Sequence, residues 1–103
     1  MSKKQRQSIT AYAFDKKGRL LGVGRNSYTK THPLQLWYAK RCGLDHKMYL
    51  HAEIAALIKT RGHKVHKLVI VRVGKDKSLL NAKPCPVCQL AIEEFGVKVV
   101  EHS

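Results

Sequence analysis

The order of apolar and polar residues along the chain predicts four strands and three helices. Ser8–Phe14 alternates with a period of two and is apolar on both faces, as is typical of a central strand covered on both sides of its sheet. Residues 68–73 are rich in β-branched side chains and predict a second buried strand. The other predicted elements are strand 20–26, helix Pro33–Arg41, a helix from His51 that stops at Gly62, helix 85–95 and strand 97–100. The last strand, helix and strand imply a parallel pair with a right-handed crossover, and hence an α/β fold in one domain, residues 1–103.

The first two predicted strands are joined by a turn at residues 15–18, so we expect them to form an antiparallel hairpin. Gly22 and Gly24 interrupt the second strand. Glycines within a strand occur at twisted edges, or where another backbone or a substrate approaches closely. Of these two explanations, the sequence favours a twisted edge.

Residues 27–50 form a connection that is too long to lack structure in a compact domain unless it serves function. Several rings in or near its helix could stack on a base: His32, Trp37, Tyr38 and Tyr49. Alternatively, Leu34, Trp37 and Tyr38 simply cover the core, which is the explanation we favour for Trp37. His32 and His46 lack the spacing of metal ligands and are interpreted as surface histidines.

Length and composition limit the class of protein. A chain of 103 residues is able to bury one core. No stretch approaches the roughly 18 apolar residues of a membrane span, and residues 1–7 are polar, basic and expected to be flexible. Three cysteines do not make a disulfide framework. We therefore expect a cytoplasmic protein with no membrane partner.

The chain is strongly basic, with 20 Lys and Arg against seven Asp and Glu and a net charge of +13. Such a balance attracts phosphorylated substrates and nucleic acids, because neutralising their phosphates releases counterions. A merely soluble basic surface explains the charge equally well, since net charge does not say where a patch lies.

Four side chains with the chemistry of a zinc site occur at the starts of two predicted helices: His51, Glu53, Cys85 and Cys88. Two cysteines three residues apart at a helix start can turn toward one ion. A zinc ion with three protein ligands keeps its fourth position for water, whereas a structural zinc usually has four protein ligands. Glu53 lies two residues beyond His51 and is placed to act on that water without binding the metal. The pattern indicates a hydrolytic zinc site.

His51 and Glu53, followed by Pro84, Cys85 and Cys88, form a His-x-Glu and Pro-Cys-x-x-Cys pattern that resembles the zinc-dependent cytidine and deoxycytidylate deaminase superfamily. The resemblance covers nearly the whole chain. It implies a three-layer α/β sandwich whose mixed sheet has the strand order 2-1-3-4, with both zinc helices on one face. It also implies that Zn²⁺ binds His51, Cys85 and Cys88, and that Glu53 transfers protons.

The same resemblance implies three substrate contacts. Asn26 would bind the sugar, and the backbone at Ala52 and Pro84 would contact the base. Members of the superfamily usually continue with a further strand and helix, whereas this sequence stops at Ser103. On that basis we expect an exposed sheet edge and a homo-oligomer.

The resemblance implies hydrolytic deamination of a base amine, most simply cytosine to uracil in a cytidine or deoxycytidine nucleoside or nucleotide. The first alternative is a base deaminase acting on single-stranded DNA or RNA, including adenine in RNA, which the charge and the aromatic connection favour. The second alternative is a non-catalytic zinc module in which Cys42 or His46 fills the fourth position. That arrangement would leave Glu53 without a role.

Overall fold

The computed structural model describes residues 8–27, 31–43, 50–60, 62–74, 79–82 and 84–103. The expected flexibility of residues 1–7 and the predictions for His46 and Tyr49 lie outside these ranges. The described elements are β1 (Ser8–Phe14), β2 (Leu20–Arg25), α1 (Pro33–Arg41), α2 (Ala52–Lys59), β3 (Lys67–Val73), β4 (Leu79–Leu80), α3 (Pro86–Glu94) and β5 (Val99–His102). None of these helices is long and apolar enough to cross a membrane.

β1 lies inside a mixed sheet, as its alternation predicts. It pairs antiparallel with β2 on one side and with β3 on the other, and β3 in turn pairs parallel with β5. The predicted order is confirmed, with β5 as the fourth predicted strand.

The sequence predicts no strand between β3 and α3, where its polar residues indicate a loop, but this segment contains the short strand β4, which pairs antiparallel with the end of β3. Ser103 holds β4 in place. Its hydroxyl donates to the Leu80 carbonyl at 2.5 Å and accepts from the Arg72 N–H at 3.0 Å. β4 has only two residues, so the sequence shows no alternation of apolar and polar positions there, and the residue that fixes it is distant along the chain.

The described helices form a layer on one face of the sheet. α2 packs against β1 and β2 and contacts α3, which in turn contacts α1. On the face of the sheet that these helices cover, cross-strand pairs bring fully buried residues together, namely Ala11 with Ile70 and Ala13 with Leu68. The other face is half-buried in the described part of the chain, at Tyr12, Phe14, Val69 and Val71. The two faces of β1 therefore differ in burial, whereas its sequence predicts that both are covered.

Close approach of α2, and not a twisted edge, explains the two glycines of β2. A Cβ on Gly24 would overlap the Ala56 backbone nitrogen and lie 2.5 Å from the Ala52 carbonyl oxygen. A Cβ on Gly22 would lie 2.9 Å from the Ala56 carbonyl oxygen. The explanation favoured by the sequence was thus wrong, because the glycines let a helix backbone lie directly on a strand backbone.

The aromatic residues of α1 divide between core and surface. Tyr38 is buried, as the covering role predicts, but Trp37 is 49% exposed, so the core role favoured for Trp37 was wrong. The Arg41 guanidinium lies over the Trp37 ring, 4.7 Å from its centroid. His32 is the N-cap of α1, where its Nδ1 accepts from the Leu34 N–H at 3.0 Å.

Candidate metal centre and active site

The N-terminal ends of α2 and α3 bring the three predicted zinc ligands together. His51 is the N-cap of α2, Cys85 is the N-cap of α3, and Cys88 lies in the first turn of α3. His51 Nδ1 is 3.2 Å from Cys88 Sγ and 3.4 Å from Cys85 Sγ. All three ligand atoms lie within 4.8 Å of one another. The ends of both helices carry partial positive charge, which favours thiolate sulfur at this point.

These distances fit a tetrahedral zinc ion. With Zn–N near 2.0 Å and Zn–S near 2.3 Å, nitrogen and sulfur ligands are roughly 3.5 Å apart. Among the described residues, this group has three protein ligands and no fourth. Cys42 is not part of it, and its Sγ lies 3.7 Å from the Pro86 carbonyl oxygen. Three ligands leave one position for water, which is the arrangement of catalytic zinc sites.

A hydrogen bond joins the two thiols of the cluster. The Cys88 thiol donates to Cys85 and holds the pKa of Cys85 down to about 4. The same bond, together with burial, raises the pKa of Cys88. The bond to Cys85 also raises the pKa of His51. Because zinc binds deprotonated sulfur and neutral imidazole, metal binding must displace protons from this cluster.

Glu53 lies in the first turn of α2 and is only 6% exposed. Burial raises the pKa of its carboxyl group, while a bond from its own backbone N–H and the positive charge of His51 lower it in part. The charge of Cys85 raises this pKa and a hydrogen bond with Cys88 lowers it. Glu53 thus lies beside the ligand cluster, in the first turn of the helix that His51 caps. A carboxyl group with a raised pKa beside a metal site is suited to accepting and returning protons.

Gln35 is a residue of the site that the sequence analysis missed. Its Oε1 accepts from the His51 backbone N–H at 3.0 Å, and its side chain is fully buried. Its Nε2 is buried and has no hydrogen-bond partner among the described residues. The hydrogen bond from the His51 N–H to Gln35 holds the backbone of His51, the residue that caps α2 and carries the imidazole. A signal was present in the sequence, because Gln35 shares the inward face of α1 with Tyr38 and Ala39, at helical spacing.

The three predicted substrate contacts lie around the same helix ends. Asn26 follows β2, and its Oδ1 accepts from the Ile9 N–H at 3.0 Å. The next residue, Ser27, donates its N–H to the Leu50 carbonyl at 2.9 Å, which brings this segment to the residue before His51. Ala52 is fully buried as the first residue of α2.

Pro84 is buried immediately before Cys85. Its carbonyl oxygen accepts from Gln89 Nε2 at 3.2 Å. The oxygens of Asn26 and Pro84 therefore already have partners within the protein.

One imidazole and two thiols lie at the starts of two helices in an α/β fold, and a buried carboxyl group lies beside them. This arrangement defines a hydrolase-type zinc site. The sequence profile described as the cytidine and deoxycytidylate deaminase zinc-binding region matches residues 1–102, and the chain belongs to this family. The resemblance, the α/β fold and the zinc cofactor expected from the sequence are thereby confirmed.

Similar solved structures include the cytidine deaminase of Mycobacterium tuberculosis and two of its mutants. Each is 27% identical to the chain, has a TM-score of 0.54 and matches 94% of the chain. The match covers 68% of the unsubstituted enzyme and of one mutant, and 66% of the other mutant. A search of curated proteins found no significant match.

Proposed function

We propose that the chain catalyses hydrolytic deamination of cytosine in a cytidine or deoxycytidine nucleoside or nucleotide. The observation that carries this proposal is the Glu53 carboxyl group, buried against the His51, Cys85 and Cys88 cluster in a member of a deaminase family. A purely structural zinc site has no use for a buried, proton-accepting carboxyl group at this point.

His51, Cys85 and Cys88 would hold the metal. When bound, Zn²⁺ acts as a Lewis acid that makes water acidic enough to serve as a nucleophile near neutral pH. Gln35 keeps the backbone of His51 in place through its hydrogen bond, and the helix starts stabilise the thiolates of the two cysteines. The protein thus supplies a fixed set of ligands and a carboxyl group at a fixed place beside them.

Glu53 carries the protons of the proposed reaction. Its carboxylate takes a proton from the attacking water and passes it to the ring nitrogen of cytosine. The water oxygen forms its bond to the carbon that bears the amine while the ring nitrogen receives this proton. Glu53 then takes the remaining proton from the added hydroxyl group and gives it to the amine. The bond from the carbon to the amine nitrogen breaks as the carbon–oxygen bond becomes a carbonyl, so that the products are the uracil compound and ammonia. Burial of Glu53 keeps bulk water from competing for these protons.

The substrate contacts extend this proposal. We assign the sugar to Asn26 and the base to the backbone of Ala52 and Pro84. The existing bonds to Asn26 Oδ1 and to the Pro84 carbonyl do not prevent this, because a carbonyl oxygen has two lone pairs and accepts a second donor. The Pro84 carbonyl is then available to the amine of the base.

Deamination of a base within a polynucleotide is the second candidate. Trp37 is half exposed on α1, the helix whose Gln35 contacts His51, and Arg41 already lies over its ring. An exposed indole beside an arginine is a surface on which a base can stack. The net charge of +13 also favours a polyanionic substrate.

Product formation on three substrates tests the choice. Zinc-loaded protein is given cytidine, dCMP and a cytosine-containing single-stranded DNA, and ammonia and uracil are measured. Our proposal expects turnover of cytidine or dCMP. Turnover of the strand alone supports the second candidate, in which case Trp37→Ala should lower the rate. Absence of product from all three substrates, with zinc bound, contradicts both.

The expectation of a homo-oligomer remains a proposal. It is supported by the half-buried apolar face of the sheet and by the exposed side chains of Val99 and Val100 in β5. Sedimentation velocity of the zinc-loaded protein measures the oligomeric state, and a monomer at micromolar concentration contradicts the proposal.

A further inference from the structure

A cleft of about 730 Å³ lies at the hairpin end of the sheet. Its walls come from residues 15–17 and 19–21 of the hairpin, from residues 63–66 before β3, and from Lys98 before β5. The zinc ligands lie toward the other end of β2, where Gly24 packs against Ala52. Gly24 lies three residues beyond Leu21 of the cleft wall, and a strand rises roughly 3.3 Å per residue, so the zinc ligands are about 10 Å or more from the cleft.

Positive charge dominates the cleft. Its walls contain five exposed cationic side chains and one carboxylate, and the cations are Lys16, Lys17, Arg19, Lys64 and Lys98. The carboxylate, Asp15, is engaged in its own turn, where it accepts from the backbone N–H groups of Lys17 and Arg19. It also pairs with the Arg19 guanidinium at 2.9 Å. In the ranges that the structure describes, no ion pair involves the four lysines of the cleft. Their charge is therefore not compensated there.

Backbone hydrogen bonds hold the three walls together. The His66 N–H donates to the Phe14 carbonyl at 2.8 Å. The His66 carbonyl accepts from the N–H groups of Lys98 and Val99 at 2.9 and 3.0 Å. The lysines therefore extend from a fixed framework, which reduces the ordering that binding requires.

We propose that this cleft binds the phosphate backbone of a nucleic acid, at a site separate from the zinc centre. Cations spread over three chain segments match a series of phosphates better than a single phosphate group. Among the described residues, the lining contains no Phe, Tyr or Trp ring, and its rings are the imidazoles of His63 and His66. Binding through the cleft therefore depends mainly on the backbone, because stacking on an imidazole does not distinguish one base from another. The net charge of +13 adds long-range attraction to any such strand.

The inference does not rest on the proposed function, because no residue of the cleft belongs to the zinc cluster or carries a proposed substrate contact. A protein bound to nucleic acid in this way keeps its zinc centre about 10 Å or more from the bound backbone. The same surface serves an enzyme that acts on free nucleosides and one that acts on the strand.

Salt dependence of binding tests the proposal. Fluorescence anisotropy measures the affinity of the zinc-loaded protein for a labelled, mixed-sequence single-stranded DNA of 20 nucleotides between 50 and 200 mM NaCl. Four phosphate contacts, one for each lysine of the cleft, at about 0.7 each give a log–log slope near −2.8, or a loss of affinity of about 50-fold over this range. Lys16→Ala, Lys64→Ala and Lys98→Ala should each reduce the magnitude of this slope by about 0.7. Lys40→Ala is the matched control, because Lys40 is an exposed lysine of α1 outside the cleft.

Cleft variants whose slopes equal that of Lys40→Ala would overturn the proposal. Competition identifies the source of the phosphate. Inorganic tripolyphosphate and unlabelled DNA are compared as competitors at equal phosphate concentration. If tripolyphosphate displaces the labelled DNA to the same extent as unlabelled DNA, the cleft binds small anions and the nucleic-acid occupant is refuted. Cytidine deamination is measured on the same variants, and Lys64→Ala should retain the full rate. Reduced slopes in protein that deaminates none of the test substrates would refute the proposed function and support the cleft.

Discussion

Replacing Gly24 by Ala should displace α2 and loosen the zinc site. The added Cβ would lie 2.5 Å from the Ala52 carbonyl oxygen, 2.7 Å from the Ala55 carbonyl carbon and in overlap with the Ala56 nitrogen. All three are backbone atoms, which cannot rotate away. Since non-bonded heavy atoms pack at about 3.5 Å or more, the start of α2 must recede by about 1 Å.

The energetic consequence follows from that displacement. Overpacking of a well-packed interior costs about 1–3 kcal/mol, and three rigid contacts place Gly24→Ala near the upper limit. Reduced freedom of the unfolded chain offsets about 0.4–1 kcal/mol. We expect a net loss of about 2 kcal/mol in the free energy of unfolding, measured in urea on zinc-loaded protein. Because metal ligands tolerate displacements of only about 0.2 Å, zinc affinity should fall by about tenfold or more.

Two other glycines serve as controls. Gly22→Ala meets its nearest backbone atom at 2.9 Å and should be milder in both measurements. Gly18 has a φ of +82° and open space around it, so Gly18→Ala costs about 1–2 kcal/mol through its backbone conformation alone and should leave zinc affinity unchanged. Gly24→Ala protein that is as stable as Gly22→Ala and binds zinc as tightly as the unsubstituted chain would refute this reasoning.

Three further predictions concern the metal ligands and their support. Cys88→Ser should abolish stoichiometric zinc binding in elemental analysis, while Cys42→Ser should retain one zinc per chain, and loss of zinc from Cys42→Ser would support a fourth protein ligand. Gln35→Leu should speed amide exchange at His51 and weaken zinc binding by about tenfold, because a buried N–H loses its acceptor at a loss of about 1–3 kcal/mol, and unchanged exchange would contradict this. Chelator competition from pH 6 to 8 should show zinc affinity rising about tenfold per pH unit, since the raised pKa of Cys88 keeps on its thiol a proton that zinc must displace. The raised pKa of His51 adds a second proton at the acid end, and affinity that does not change with pH would refute the retained proton on the Cys88 thiol.

The sequence was sufficient to predict the three described helices, all the described strands except β4, and the zinc cluster. Strand β1 and helix α1 have the predicted bounds, because their periodicity and the proline that begins α1 act locally. The zinc ligands were identifiable because Cys85 and Cys88 lie three residues apart on one helix, so local geometry fixes their relation. His51 belongs to another helix, and only its combination with Glu53 connected it to the cysteines.

Features that depend on distant contacts could not be predicted in this way. Gly22 and Gly24 are needed in β2 because the backbone of α2 lies directly on that strand, and the sequence of β2 does not indicate which helix will cover it. Gln35 has a role only because the His51 N–H lies opposite its amide. Trp37 is exposed although it is large and apolar, because Tyr38 occupies the inward face of the same helix. In each case the deciding contact joins two segments that the sequence keeps apart.

The central claim is that Glu53 transfers protons beside a zinc ion held by His51, Cys85 and Cys88. The most direct test is ammonia release from cytidine and dCMP by zinc-loaded protein and by Glu53→Gln, with zinc content measured on both. Glu53→Gln keeps the size of the side chain, replaces one acceptor oxygen by an NH2 group and cannot accept the proton. The account predicts one zinc per chain in both proteins and a rate at least about 100-fold lower in the variant. An equal rate with zinc retained would contradict the role of Glu53, and loss of zinc would show that Glu53 supports the metal site itself.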